Sequence, residues 1–290
     1  MRRSIRMNLY EETKFLMKKY QISANKNLGQ NFLIDENVIQ NIIDSAQINQ
    51  SDFVIEIGPG LGTLTSQLVE KADKVIAIEL DQKMVKILQE RFSLYSNFQL
   101  LNEDVLKVDL KTLIEKENTQ KCPVKIVANL PYYITTPIIM KLLEEKLPIQ
   151  NITVMVQKEV ADRLTAIPGE KNTGAITYCV YYYCEPKQVM LVPNTSFIPE
   201  PKVNSEVIQL NIRQNPPVQL KNETVFFKIV KASFMQRRKT LLNGLTNAGI
   251  ISKERMREIL NKMQLPETVR GEDLSIEQFA QIANELDINQ

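Results

Sequence analysis

The chain is predicted to be an α/β protein, with a doubly wound sheet domain over residues 1–212 and a small all-helical domain over 213–290. Three observations predict this. From residue 53 onward, short apolar runs alternate with helix-like stretches, as a strand–helix–strand series requires. Three glycines cluster directly after the first apolar run, where such folds bind ligands. After Asn215-Pro216-Pro217 the strand patterning stops and only helical signals follow.

The elements follow in order. Phe53 to Ile57 is a short apolar strand, then comes the glycine-rich turn and a helix through Gln67-Leu68-Val69. Lys74 to Glu79 is a second strand, with a helix from about Gln82 to Phe92. Phe98 to Leu101 and Lys125 to Ala128 supply two more strands, Pro137 to Glu145 a helix, and Ile152 to Val156 a fifth strand. Tyr178 to Tyr183 and Lys187 to Val192 read as β-rich and aromatic, and Val203 to Ile212 alternates well enough for a last strand. In the C-terminal domain, Asn222 caps a helix expected through Lys239, Ser252 caps another, and Ser275 with Gln278 forms a capping-box signature.

Composition excludes much chemistry. Among 290 residues there is no histidine, which removes Ser-His-Asp catalysis, imidazole general bases and most zinc sites. Cys122, Cys179 and Cys184 have no metal-ligand spacing, so no metal is expected, and they read as reduced thiols of a cytoplasmic protein. No apolar stretch approaches the ~20 residues needed to span a bilayer, so no membrane partner is expected. The first thirty residues carry 7 basic and 2 acidic groups (net +5), residues 31–212 carry 17 and 23 (net −6), and residues 213–290 carry 12 and 9 (net +3). Basic ends around an acidic middle suit a polyanion held by flanking segments, although a solvated helix face explains the same bias.

The chemistry concentrates at predicted strand ends. Glu56-Ile57-Gly58-Pro59-Gly60-Leu61-Gly62-Thr63 lets the backbone approach a ligand closely. Thr63 holds the last position of a dinucleotide fingerprint and Pro59 removes a backbone donor, so a ligand with an amino-acid moiety fits better than a pyrophosphate. Glu79, 21 residues after Gly58, is placed to accept the ribose hydroxyls of an adenosine ligand. Asp104, after the third strand, can accept from an adenine amino group; taken alone it reads as a solvated loop acid. Asn129-Leu130-Pro131-Tyr132 ends the apolar run Ile126-Val127-Ala128. Pro131 restricts Leu130 to extended conformations, so an amide oxygen and a backbone carbonyl can together accept both hydrogens of an exocyclic amine while a ring stacks on its base. Taken alone, the four residues read as a strand end with a proline turn and a partly buried tyrosine.

With these residues in place, the chain resembles the bacterial ribosomal RNA small-subunit adenine N6,N6-dimethyltransferases, the kasugamycin-sensitivity enzymes. The matching segments are Asn27 to Leu33, Glu56 to Gly62, Ile78 to Asp81, Asn129 to Tyr132, Gln157 to Val160, Phe197 to Val203 and Gln236 to Leu241, in the family's order. The resemblance implies a Rossmann-like class I methyltransferase sheet with S-adenosylmethionine as cofactor. It implies that Asn31 and Leu33 close over the cofactor's amino-acid end and that Gly58 and Gly60 line it. Glu79 would hold the ribose and Asp104 the adenine, with Leu80 and Val105 beside them, and Asn129 would touch both cofactor and target. Leu130, Pro131 and Tyr132 would complete the target site, and Phe197 would clamp the flipped base from its other face. Plain core is the alternative for Phe197, with its proline-rich loop arguing against a burial-only role. Arg237-Arg238-Lys239, expected on the first helix of the second domain, would contact RNA phosphates, the alternative being a basic helix face without function.

The implied substrate is two adjacent adenines in the 3′-terminal hairpin loop of small-subunit rRNA, presented by an immature small ribosomal subunit to a monomeric enzyme, with a role in subunit maturation. Two alternatives share the fold: an erythromycin-resistance-type methyltransferase of large-subunit rRNA and a mainly non-catalytic assembly factor. Leu130, Gly58 to Gly62 and Pro199-Glu200-Pro201-Lys202 argue against the first, and the intact Asn129-to-Tyr132 motif against the second. A NAD-dependent dehydrogenase is the weakest reading.

Overall fold

The computed structural model describes residues 7–25, 29–236 and 238–286. Helix α1 (Leu9–Lys19) starts where the Asn8 side chain accepts from the Glu11 N–H, and it buries Leu9, Thr13 and Leu16 at helical spacing. A two-residue strand β1 (Phe32–Leu33) leads to α2 (Glu36–Ala46), capped by Asp35. The alternating series then runs β2 (Phe53–Ile57), α3 (Thr65–Lys71), β3 (Lys74–Ile78), α4 (Gln82–Arg91), β4 (Phe98–Leu101), α5 (Leu110–Glu117), β5 (Val124–Asn129), α6 (Thr135–Glu144), β6 (Ile149–Gln157) and α7 (Lys158–Thr165). After α8 (Ala175–Tyr183) come β7 (Cys184–Val192), β8 (Phe197–Ile198) and β9 (Ser205–Ile212). Then come α9 (Glu223–Met235), α10 (Leu241–Asn247), α11 (Lys253–Lys262) and α12 (Ile276–Leu286).

Seven strands form one sheet in the order β4-β3-β2-β5-β6-β9-β7. The neighbours from β4 to β6 pair in parallel, and β6 pairs antiparallel with β9. Burial of every residue of β2 explains its unbroken apolar run, since a parallel strand covered on both faces has no solvent side to alternate with. The strand order reverses at β2, between β3 and β5, so the crevice for a ligand opens at the carboxyl ends of these strands. β1 and β8 form a separate antiparallel pair, Phe32 opposite Ile198 and Leu33 opposite Phe197.

The chain divides into two compact units: Met1–Ala161 with Lys187–Ile212, and Asp162–Pro186 with Arg213–Gln290. Residues 162–186, expected in the sheet domain, thus group with the helical one. The reason is α8. Tyr178 to Tyr183 was expected to be extended from its aromatic content, but the segment is helical, and Tyr178 and Tyr182, four residues apart, are buried in the helical unit's core with Phe226, Ile229 and Phe279. The Tyr178 hydroxyl donates to the Leu274 carbonyl at 2.6 Å, which removes the cost of burying it. Packing at helical period overrides the local β preference.

A second correction concerns α9, which ends at Met235 and not at Lys239. Thr240 begins the next helix, its hydroxyl accepting from the Asn243 N–H, and the chain must turn between the two. Arg238 and Lys239 therefore sit in an exposed turn and not on a helix face; Arg237 lies outside the described residues. Among the described residues no helix is long and apolar enough to cross a membrane.

Candidate active site

A cleft of about 1120 Å³, counted out to its mouth, opens at the carboxyl ends of β2, β3 and β5. The turn after β2 forms one wall. The Gly58 N–H donates to the Ile78 carbonyl of β3 at 2.9 Å and the Gly62 N–H to the Pro59 carbonyl at 2.9 Å, so the turn is tied to β3 at its start and closed on itself at its end. Gly62 has φ +81°, and a Cβ there would lie 2.5 Å from the Phe92 ring, so only glycine lets α4 pack on the turn. Gly58 differs: a Cβ there meets nothing within 4 Å, because its backbone faces open space.

Glu79, at the end of β3, is buried and held at both oxygens. Oε2 accepts from the Gly60 N–H at 3.1 Å and Oε1 from the Asp81 N–H at 2.8 Å. Burial raises its pKa and these two bonds oppose the rise. Asn102 donates from Nδ2 to the Glu79 carbonyl at 2.9 Å, fixing the backbone beside it. Asp104 lines the cleft after β4, and its Oδ1 accepts from the Leu106 N–H at 3.0 Å. Leu80 and Val105 line the same part, Leu80 being 49% exposed and so free to cover a flat ligand.

The opposite wall is the end of β5. The Asn129 Nδ2 donates to the Asn31 carbonyl at 3.2 Å, which leaves Oδ1 as an acceptor with no donor among the described residues. The Leu130 side chain is buried and its N–H donates to the Met155 carbonyl at 3.1 Å, but its own carbonyl receives no hydrogen bond from the described residues. The Pro131 carbonyl, by contrast, is taken by the Ile134 N–H and the Thr135 hydroxyl. Tyr132 is half-buried, its hydroxyl 2.8 Å from that of Ser205, and burial keeps the phenol protonated by raising its pKa. Asn31 and Leu33 reach the cleft on the segment that forms β1, and Gln30 latches that segment to the far wall by donating from Nε2 to Asp81 Oδ2 at 2.9 Å.

All nine expected cofactor residues, together with Leu130, Pro131 and Tyr132, line this one cleft. Phe197 does not. Its ring is 3% exposed, sits in the main hydrophobic cluster and faces Leu33 across the β1–β8 pair, so it offers no surface to a base. Arg238 and Lys239 belong to the other unit. Sequence reasoning missed Glu56. This residue lines the cleft from within β2, fully buried, with a hydrogen bond from the Thr65 hydroxyl at 2.6 Å. Burial pushes its pKa up to about 8, with the Glu79 charge adding to the rise and Thr65 opposing it. An acid inside an otherwise apolar strand was the available signal.

The wound sheet, with its cleft at the carboxyl ends of the strands, is the arrangement of a Rossmann-like methyltransferase. The structure superposes on a dimethyladenosine transferase from Plasmodium falciparum with a TM-score of 0.73 and 26% identity, covering 89% of this chain and 98% of that one. It superposes on the 23S rRNA methyltransferase ErmE with a TM-score of 0.66 and 25% identity, covering 89% and 100%. The model of the ribosomal RNA adenine dimethylase family matches residues 21–287, and the chain belongs to that family. It is 50% identical over 279 residues to the ribosomal RNA small subunit methyltransferase A of Clostridioides difficile strain 630, covering 96% of each chain. The protein of the same description from Alkaliphilus oremlandii is 48% identical over 282 residues, covering 97% of this chain and 98% of its own. ErmE shares the fold at half that identity, so the fold does not separate the two branches of rRNA methyltransferase but the sequence does.

Proposed function

We propose that this protein transfers methyl groups from S-adenosylmethionine to N6 of two adjacent adenines in the 3′-terminal hairpin loop of small-subunit rRNA, giving N6,N6-dimethyladenosine. It does so as a cytoplasmic monomer acting on an immature small subunit. The observation that carries this reading is the pair of free acceptors, Asn129 Oδ1 and the Leu130 carbonyl, at the wall of a cleft whose other wall suits an adenosine ligand. Relatives described as small-subunit methyltransferase A, at about half identity over nearly the full length, support the choice of substrate.

The residues present fit the cofactor. Gly58 turns bare backbone to open space, and each Glu79 oxygen, already holding one N–H, keeps a lone pair for a ribose hydroxyl. Asp104 would accept from the adenine amino group between Leu80 and Val105. Asn31, Leu33, Gly58 and Gly60 would surround the amino-acid end, where an arriving ammonium would draw the buried Glu56 carboxyl toward its ionised form. The bound cofactor supplies an electrophilic methyl on a sulfonium.

An adenine N6 lone pair is delocalised into its ring and is a poor nucleophile. In the first transfer two hydrogen bonds from N6, to Asn129 Oδ1 and the Leu130 carbonyl, favour a pyramidal nitrogen whose lone pair leaves the ring plane. In the second the monomethylated amine has one N–H left and keeps one of these bonds. Asn129 is fixed for this by its bond to the Asn31 carbonyl, and Leu130 by its buried side chain and its bond to Met155. No strong base is needed, because the methylated ammonium is acidic, and the chain has no histidine to serve as one. Tyr132, anchored at its hydroxyl by Ser205, stacks on the base, and Arg238 and Lys239 contact RNA phosphate.

The test is methyl transfer from labelled S-adenosylmethionine to unmethylated small ribosomal subunits, with large subunits in parallel, followed by nucleoside analysis. Dimethyladenosine from small subunits alone is expected. Label in large subunits would move the protein to the branch of ErmE, and no label with cofactor binding intact would favour an assembly role.

A further inference from the structure

Helix α1 lies outside the stretch matched by the family model, which begins at residue 21, yet it is tied to the wall of the cleft. Arg91, in the last turn of α4, makes the tie. Its Nη1 donates to the Leu61 carbonyl at 2.5 Å and its Nη2 to Glu12 Oε1 on α1 at 2.5 Å. Leu61 belongs to the glycine-rich turn that lines the cleft, and its side chain is buried. The guanidinium is sheltered, with the Arg91 side chain 16% exposed and resting 5.6 Å from the Phe92 ring centroid. Phe92 is the same ring that leaves no room for a Cβ at Gly62. Turn, α4 and α1 also share one hydrophobic cluster through Leu61, Leu88, Phe92, Leu9 and Leu16.

A second ion pair, Lys19 with Glu90 at 2.6 Å, joins α1 to α4, but both partners are about half exposed and such pairs contribute little. The Arg91 contacts are of another kind. A planar guanidinium presents donors in a fixed fork, so the carboxylate that takes one edge dictates where the other edge points. Glu12 therefore aims Arg91 at the turn, and Arg91 satisfies a carbonyl there through a charge-assisted bond.

We infer that Glu12 and Arg91 form a brace through which α1 holds the Gly58-to-Gly62 turn in its ligand-binding shape, which makes Arg91 a positioning residue for the cofactor. The inference rests on the reading of this cleft as the cofactor site. Arg91 acts through the turn and touches no reacting group.

The test is calorimetric titration of the full chain with S-adenosylmethionine, comparing the wild type with Glu12→Gln, Arg91→Ala, Arg91→Lys, the Glu12→Gln/Arg91→Ala double variant and Glu79→Ala. Thermal unfolding is followed in parallel. Glu12→Gln and Arg91→Ala are each expected to weaken binding roughly three- to tenfold, the size of one charge-assisted hydrogen bond partly relaxed. The double variant should be no worse than Arg91→Ala alone, because the two residues act in series. The KM for the cofactor should rise with the Kd, while kcat at saturating cofactor stays within about twofold. Arg91→Lys, which keeps the charge but loses the fork, should not restore binding. Unchanged cofactor affinity in Glu12→Gln, with or without a lower Tm, would overturn the brace, as would additive losses in the double variant. If Arg91→Ala fails to fold, Glu12→Gln decides alone. A wild type that does not bind, or a Glu79→Ala variant that binds as well as wild type, would instead sink the cofactor-site reading on which the inference stands.

Discussion

Two proline-flanked aromatic segments, Asn129 to Tyr132 and Phe197 to Pro201, look alike in sequence and end in opposite roles. In the first, buried anchors hold the chain while its acceptors stay free: the Leu130 side chain is in the core, but its carbonyl and the Asn129 Oδ1 receive nothing from the described residues. In the second, the Phe197 backbone pairs with Leu33 and its ring is absorbed by the core. An aromatic beside a proline therefore does not mark a stacking platform by itself. What distinguishes the two is where the neighbouring backbone groups spend their hydrogen bonds.

The comparison is broken most directly by Asn129→Ala. With one of the two acceptors gone and the other unable to orient the amine, transfer should fall by at least ~10²–10³-fold, the size seen when a preorganised polar partner is removed. The Tm and most RNA affinity should stay, since Asn129 is not part of the apolar core. Measuring turnover beside RNA binding checks this, and equal losses in both would end the role assigned to Asn129. The counterpart is Phe197→Ala. A ring this buried should cost about 3–5 kcal/mol of stability by denaturant titration, with little specific effect on turnover per folded molecule. A stable Phe197→Ala protein with poor turnover would show that the ring leaves the core to meet the base.

Glu56 sharpens the contrast as an intermediate case, a cleft-lining acid built into a core strand. In the unfolded chain it titrates near 4.5 and in the folded protein near 8, so between these values only the folded state keeps the proton. Its contribution to stability is complete below pH 4.5 and is lost as the pH rises toward 8. Glu56→Gln carries no such proton, so its stability relative to wild type should improve over that interval, by at most about 1.4 kcal/mol per pH unit. Parallel pH profiles of the two proteins without cofactor test this; curves that stay parallel would show that Glu56 is already ionised in the fold.

Much of the cleft was legible because its residues stand at consecutive strand ends. Gly58, Glu79, Asp104 and Asn129 each follow an apolar run, and the sheet order brings those ends together without further information. The errors share a cause, namely contacts distant in sequence. Glu56 was hidden because its burial depends on Thr65 and on both flanking strands. Tyr178 and Tyr182 became helical because α9 and α12 cover one side of α8, a fact no local aromatic count contains. Residues 236 to 239 are helix formers by propensity, yet α9 stops before them because Thr240 starts α10. The burial of Phe197 required its pairing with β1, 164 residues earlier in the chain by register.

The smallest expected effect separates two functions of one residue on the active side of the comparison. Tyr132 contributes a ring to the cleft and a hydroxyl to Ser205. If the ring stacks on the base, Tyr132→Ala should remove about 1–3 kcal/mol from transition-state binding and affect turnover more than cofactor affinity. Tyr132→Phe keeps the ring and loses only the anchor, so it should cost about 0.5–1.5 kcal/mol, as a single neutral hydrogen bond does. Ser205→Ala removes the same bond from the other side and should match Tyr132→Phe in kcat/KM. If Tyr132→Phe were instead as damaging as Tyr132→Ala, the hydroxyl and not the ring would be the working group. The catalytic wall would then depend on its polar anchors alone, and the likeness of Tyr132 to Phe197 would be one of composition only.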